Sequence, residues 1–204
     1  MEMSVISSPG DVNDEIIIVN NMLEQGLNAF HLRKPEYSRD RLAEYIGSIR
    51  TEYHSRIVLH SHYDLVKELH LGGIHITRSS KDEKDAIIAS IENKNDPKIR
   101  VGISFHALDD LYQENEGIDY AFLSPVFDSI SKKDYKKAFD YGKIKEVLKK
   151  TKFNVYALGG CRIENLDQIH KLGFYGAAFL GAIWNESDPF VSYLRIKQFA
   201  KKLS

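Results

Sequence analysis

Short runs rich in β-branched and aromatic residues alternate with longer stretches of helical period along the whole chain, and this alternation limits the fold more than any other feature. The predicted strands are Met3 to Ser7, Ala29 to Arg33, Arg56 to His60, Gly73 to Ile76, Arg100 to Ser104, Tyr120 to Leu123, Asn154 to Leu158 and Gly176 to Leu180. Between them, Glu15 to Gln25 places Ile16, Val19, Leu23 and Leu27 on one face, with Asp11 or Asn13 as cap and Gly26 as stop. Ser38 to Arg50 carries Leu42, Tyr45, Ile46 and Ile49 on one side, and Ile163 to Leu172 carries Leu166, Ile169 and Leu172. Asp188-Pro189 opens a last helix whose buried side is expected to hold Val191, Leu194 and Ile196. Repeated strand-then-helix units imply a parallel sheet, and eight of them favour closure. The expected fold is α/β, a (β/α)8 barrel of the TIM type, as a single domain over residues 1–204. The charged stretch Arg78 to Lys98 is the weakest unit, and an irregular loop is expected there.

Composition bounds the function. With 28 basic and 29 acidic residues the net charge is -1, which argues against a general nucleic-acid coat, so any anion site is local. No apolar stretch approaches the roughly 20 residues of a membrane span. The first residues, Met1-Glu2-Met3-Ser4, do not read as a secretion signal, and a lone cysteine, Cys161, fits a reducing compartment; a cytoplasmic location is expected.

Barrels of this type carry their sites at the carboxyl ends of the strands, with phosphate often held after strands seven and eight. Gly159-Gly160 and Leu180-Gly181 stand at those two places, where bare amides can approach an anion, although such glycines also make tight turns. After strand six, Ser129, Ser131 and Lys132 offer two hydroxyls and a cation to one phosphate or pyrophosphate, and a solvated loop would read the same way. Arg33 at a strand end needs a partner, either substrate or ion pair. His31, His60, His62, His75 and His106 fall at or near the ends of strands two to five. Imidazoles there suit proton transfer, or a softer metal such as Zn²⁺, better than Mg²⁺. Cys161 has no identifiable base beside it and reads as a spectator, and the lysines from Lys143 to Lys152 read as a solvated face.

Taken in order, these segments resemble the thiamine phosphate synthase family and the related thiazole tautomerases. Phe30-His31-Leu32-Arg33-Lys34-Pro35 is similar to the family's Gln-Leu-Arg-Glu-Lys, Gly73-Ile74-His75 to its Gly-Val-His, and Val101 through His106 to its Gly-Val-Ser-x-His. Asp119-Tyr120 through Lys132 resembles its Asp-Tyr, Gly-Pro-Val-Phe and Thr-x-Thr-Lys, and Ala157-Leu158-Gly159-Gly160 and Gly176 to Ile183 complete the series. The resemblance implies an enzyme of thiamine biosynthesis that joins a hydroxymethylpyrimidine pyrophosphate to a thiazole phosphate and releases pyrophosphate, with Mg²⁺ as cofactor. It implies that Arg33, Ser104, Ser129, Ser131 and Lys132 hold pyrophosphate and that the Gly160 and Gly181 amides hold the thiazole phosphate. His31 and His106 then face substrate, and Lys34 stands in for a motif lysine displaced by Pro35. The implied partners are small phosphorylated molecules, and a homodimer is an open alternative to a monomer.

The chain also departs from the family pattern. The magnesium-binding aspartates fall on Ser61 and at about Ser80, with Asp82 the nearest carboxylate. His31 replaces a glutamine as in tautomerases, whereas Pro125 sides with synthases. Two further readings stay open: a thiazole phosphate tautomerase with His60 or His31 as proton carrier, and a non-catalytic binder of thiazole or thiamine phosphate.

Overall fold

The computed structural model describes residues 1–91, 99–112, 117–127 and 139–203, the side chains of 78 and 79 excepted. Its strands are β1 (Glu2–Ile6), β2 (Ala29–Leu32), β3 (Ile57–Leu59), β4 (Gly73–Ile76), β5 (Arg100–Phe105), β6 (Tyr120–Leu123), β7 (Asn154–Ala157) and β8 (Gly176–Phe179). They run parallel in sequence order, and β1 pairs with β8 to close the barrel, with Met3 opposite Ala177 and Val5 opposite Phe179. The helices are α1 (Glu15–Glu24), α2 (Arg39–Gly47), α3 (Leu65–Glu68), α4 (Lys84–Ile91), α5 (Tyr141–Leu148), α6 (Leu166–Leu172), α7 (Gly181–Trp184) and α8 (Pro189–Lys201), with short 3-10 turns between some of them.

Strand side chains alternate between two surroundings, as a period of two demands. Val5, Phe30, Leu32, Ile57, Leu59, Ile74 and Ile76 face outward and join helix residues such as Val19, Met22, Ile46, Leu166 and Tyr193 in one large apolar layer. The alternate positions fill the barrel itself, where Ile6, Tyr120, Phe122 and Ala178 form a second, smaller cluster. Glycines make room for rings in this interior. A Cβ on Gly102 would stand 2.1 Å from Tyr120 Cζ, and one on Gly176 would stand 2.6 Å from Tyr156 Cε1.

The helices correct several expectations. The N-cap position of α1 is Asp14, in a left-handed conformation, rather than Asp11 or Asn13; the Asp11 carboxylate is occupied by Tyr37 and Arg41 instead. On α8, Ile196 is buried and Leu194 packs against the core as expected, joined by Tyr193 and Ala200, whereas Val191, whose amide Asp188 caps, is exposed. Within the stretch expected to be irregular, α4 forms and buries Ile91, while 92–98 lie outside the described residues. The lysine stretch after Lys143 is solvated on one side only, since Asp140 caps α5 and Ile144 and Val147 pack inward.

Candidate functional site

The carboxyl ends of the strands meet at one mouth. Arg33 follows β2 directly with its side chain exposed, and its backbone is fixed by Ser7 at the end of β1. The Arg33 amide donates to Ser7 Oγ at 2.8 Å, and that hydroxyl donates to the Arg33 carbonyl at 3.0 Å. Ser7 is buried and was not singled out from the sequence, because a hydroxyl at a strand end has no local signature.

Beneath the mouth, imidazoles gather. His31 Nδ1 stands 3.1 Å from His60 Nε2, and the rings of His60 and His75 stack at 4.5 Å. His75 Nε2 lies 2.8 Å from Ser104 Oγ, while its Nδ1 lies 3.4 Å from the Tyr120 hydroxyl. All three histidines are buried, and desolvation disfavours their charged forms. Burial first, then His75 and Arg100, hold His31 well below its ordinary pKa; burial, His75, His31 and Arg33 do the same for His60. Burial alone pushes His75 down to about 3. The cluster is therefore neutral at physiological pH, and the His31–His60 contact is one in which one imidazole donates and the other accepts.

His106 is exposed after β5, and its Nδ1–H donates to the Ser124 carbonyl at 2.9 Å, which leaves Nε2 free to accept in the neutral ring. His62 lies apart from the cluster, with Nε2 3.2 Å from the Tyr37 carbonyl.

After β7, Gly159 and Gly160 both take positive φ, +86° and +66°. A Cβ on Gly159 would stand 2.9 Å from Pro125 Cα, so the glycine pair packs against the loop that follows β6. On the neighbouring strand end, Leu180 precedes the single turn α7, whose first amides have no partner within the turn. Trp184 Nε1–H donates to the Ile6 carbonyl at 2.7 Å and ties this turn to β1. Outside Gly181 opens a cavity of about 550 Å³ lined by Arg162, Asn185, Ser192 and Arg195, among others. Arg162, exposed directly after Gly-Gly-Cys, is a lining residue that the sequence expectations do not include. Cys161 is buried, burial pushes its thiol up, and its Sγ lies 3.4 Å from the Ala157 carbonyl.

Lys34 does not share the mouth in the way expected of it. Its side chain is fully buried, with Nζ 2.5 Å from Glu15 Oε2 and 2.7 Å from the Gly10 carbonyl. An ammonium drawn into that pairing cannot also reach a phosphate. Ser129, Ser131 and Lys132 lie outside the described residues.

At the family's magnesium positions the structure has hydroxyls. Ser80 Oγ lies 3.4 Å from the Tyr63 hydroxyl and 3.3 Å from Thr77 Oγ1, and Tyr63 in turn donates to the His60 carbonyl at 3.2 Å. Asp82 is exposed on a 3-10 turn, Arg78–Glu83. Mg²⁺ prefers carboxylate and phosphate oxygens in strict octahedral geometry, so this donor set does not fit it.

Fold and mouth together define a class: a closed (β/α)8 barrel with polar groups at the strand ends where such barrels carry their active sites. The chain matches the family described as thiamine monophosphate synthase over residues 3–183. It is 30% identical to a thiamine-phosphate synthase of Pediococcus pentosaceus over 192 residues, covering 90% of this chain and 87% of that one. A thiamine phosphate pyrophosphorylase structure from Bacteroides thetaiotaomicron superposes with a TM-score of 0.77 at 28% identity, covering 100% of this chain and 97% of the other. One from Pyrococcus furiosus reaches 0.82 at 17% identity over 99% and 96%, which speaks for the fold. The chain belongs to the thiamine monophosphate synthase family. By family it is a thiamine-phosphate synthase-like transferase of thiamine biosynthesis, acting on phosphorylated small molecules, and among the described residues no helix is long and apolar enough to cross a membrane.

Proposed function

We propose that this barrel joins a hydroxymethylpyrimidine pyrophosphate to a thiazole phosphate. The observation that carries the reading is the pairing of two left-handed glycines after β7 with the bare first turn after β8, on adjacent strand ends of a family member. The Gly160 and Gly181 amides hold the thiazole phosphate, with Gly159 and Leu180 shaping the turns that present them. The pyrimidine pyrophosphate lies toward Arg33, Ser104 and His106, and Ser129, Ser131 and Lys132 are its further donors. His31 and His60 line the floor.

In the reaction the methylene–oxygen bond of the pyrimidine pyrophosphate breaks, the electron pair leaves with pyrophosphate, and the thiazole nitrogen supplies the pair for the new carbon–nitrogen bond. Negative charge grows on the leaving oxygens, so Arg33 and Lys132 contribute most at the transition state. Two substrates held in line remove much of the remaining barrier by proximity. No step is assigned to Mg²⁺.

The test is to incubate the protein with both substrates, with and without added Mg²⁺, and to measure thiamine phosphate and pyrophosphate. Product that falls by about 10²-fold or more in Arg33→Ala and Lys132→Ala supports the reading. A second reading, tautomerisation of the thiazole phosphate, draws on the 3.1 Å contact of two neutral imidazoles, His31 and His60. Isomerised thiazole phosphate without pyrophosphate release would select it, and tight thiazole phosphate binding with no turnover of either kind would leave a binding protein.

A further inference from the structure

We propose that His31, His60 and His75 form a three-imidazole site for a borderline-soft divalent cation, Zn²⁺ first among them, inside the barrel beneath the mouth. One nitrogen from each residue can be chosen so that all three lie within 4.8 Å of one another, and they are the group among the described residues with this property. In tetrahedral Zn²⁺ sites with Zn–N bonds of about 2.0–2.1 Å, ligand nitrogens stand about 3.3 Å apart. His31 Nδ1 and His60 Nε2, at 3.1 Å, already have that separation. His75, stacked on His60, brings the third nitrogen within 4.8 Å of the other two.

Three further observations point the same way. The ligands come from adjacent strands, His31 from β2, His60 from the residue after β3 and His75 from β4, so the rigid barrel sets their spacing. Metal-bound histidines need a partner on the second ring nitrogen to hold ring and tautomer. His75 has one on either side: if Nε2 binds the ion, Nδ1–H can donate to Tyr120, and if Nδ1 binds, Nε2–H can donate to Ser104 Oγ. Neutral imidazoles select Zn²⁺, Cu²⁺ or Ni²⁺ over Mg²⁺, which matches the replacement of family aspartates by serines in the same mouth.

Three nitrogens from the protein leave a fourth position open, the arrangement of catalytic rather than structural zinc. A dication among neutral ligands in a buried site calls for an anion in that position, either hydroxide or a phosphate oxygen entering past His60, the most exposed of the three. The site goes beyond the synthase reading and stands without it, because binding is measured with the metal alone.

The test strips the full-length chain with chelator and titrates it with Zn²⁺ and with Co²⁺ in the absence of substrate. The expected result is a single equivalent per chain, the strong visible absorption of tetrahedral Co²⁺, and imidazole scattering in X-ray absorption at the zinc edge. His60→Ala and His31→Gln should each weaken binding by about 100-fold or more, whereas His170→Ala, on the exposed side of α6, should not. Absence of binding, a pale octahedral Co²⁺ spectrum, or undiminished binding in His60→Ala would overturn the proposal. If a variant does not fold by circular dichroism, the zinc-edge spectrum of the unaltered protein decides, and a shell without imidazole scattering overturns the site. Thiamine phosphate formation is not part of the readout, so either idea can fail alone.

Discussion

Lys34 and Glu15 form a buried charge pair 19 positions apart in the chain, and the neighbouring rings of Tyr37 and Tyr45 lie 5.5 and 5.6 Å from the ammonium. Burial raises the Glu15 carboxyl above its ordinary pKa, and Lys34 offsets that shift only in part. Removing one partner leaves the other charge without compensation, so Lys34→Met should lose about 3–5 kcal/mol in urea unfolding, and Lys34→Met with Glu15→Gln should recover most of it. The sign with pH follows. In Lys34→Met the folded state holds the Glu15 proton more tightly than the unfolded chain does, so stability is highest at acid pH and is lost as pH rises from the ordinary carboxylate range through the raised folded value. The same measurement repeated between pH 4 and pH 8 should therefore show a deficit that grows with pH, flattening once Glu15 is ionised in both states.

Elements are held by pairs of this kind on a larger scale, and the β5–β6 seam is the clearest case. Gly102 sits beside Tyr120 with no room for a Cβ, so Gly102→Ala should cost about 1–3 kcal/mol, and adding Tyr120→Leu should return part of that loss in a double-mutant cycle. Such seams also explain what was legible in the sequence. Strands buried on both faces read as continuous apolar runs, and all eight were placed within one residue at either end. The helices depend on which neighbour covers them. α3 is a single turn with no periodicity to read, α5 carries its two apolar residues among lysines, and on α8 Ile196 and Leu194 fall on the covered face as expected while Val191 does not, Tyr193 and Ala200 being buried with them. In the site, strand-end positions were readable because barrel topology puts them at the mouth. The pairing of His31 with His60 and the withdrawal of Lys34 were not, since each depends on contacts between residues far apart in sequence.

Across the whole molecule the barrel interior is divided. Tyrosine rings packed into glycine gaps fill one part, and neutral imidazoles and hydroxyls occupy the part that opens at the mouth. Changes below should act on unfolding, and changes above on ligands. The chain's single tryptophan, Trp184, stands on α7, the same turn that presents the Gly181 amide, with its indole N–H bound to the Ile6 carbonyl. The protein thus carries its own optical reporter at one point of the mouth. Emission should change as thiazole phosphate or inorganic phosphate fills the proposed glycine cradle, and Gly181→Val should abolish that response while the spectrum of the folded protein persists. A fluorimeter can therefore follow occupancy of this subsite in the native chain, free of any added dye and independently of whether a bond is made.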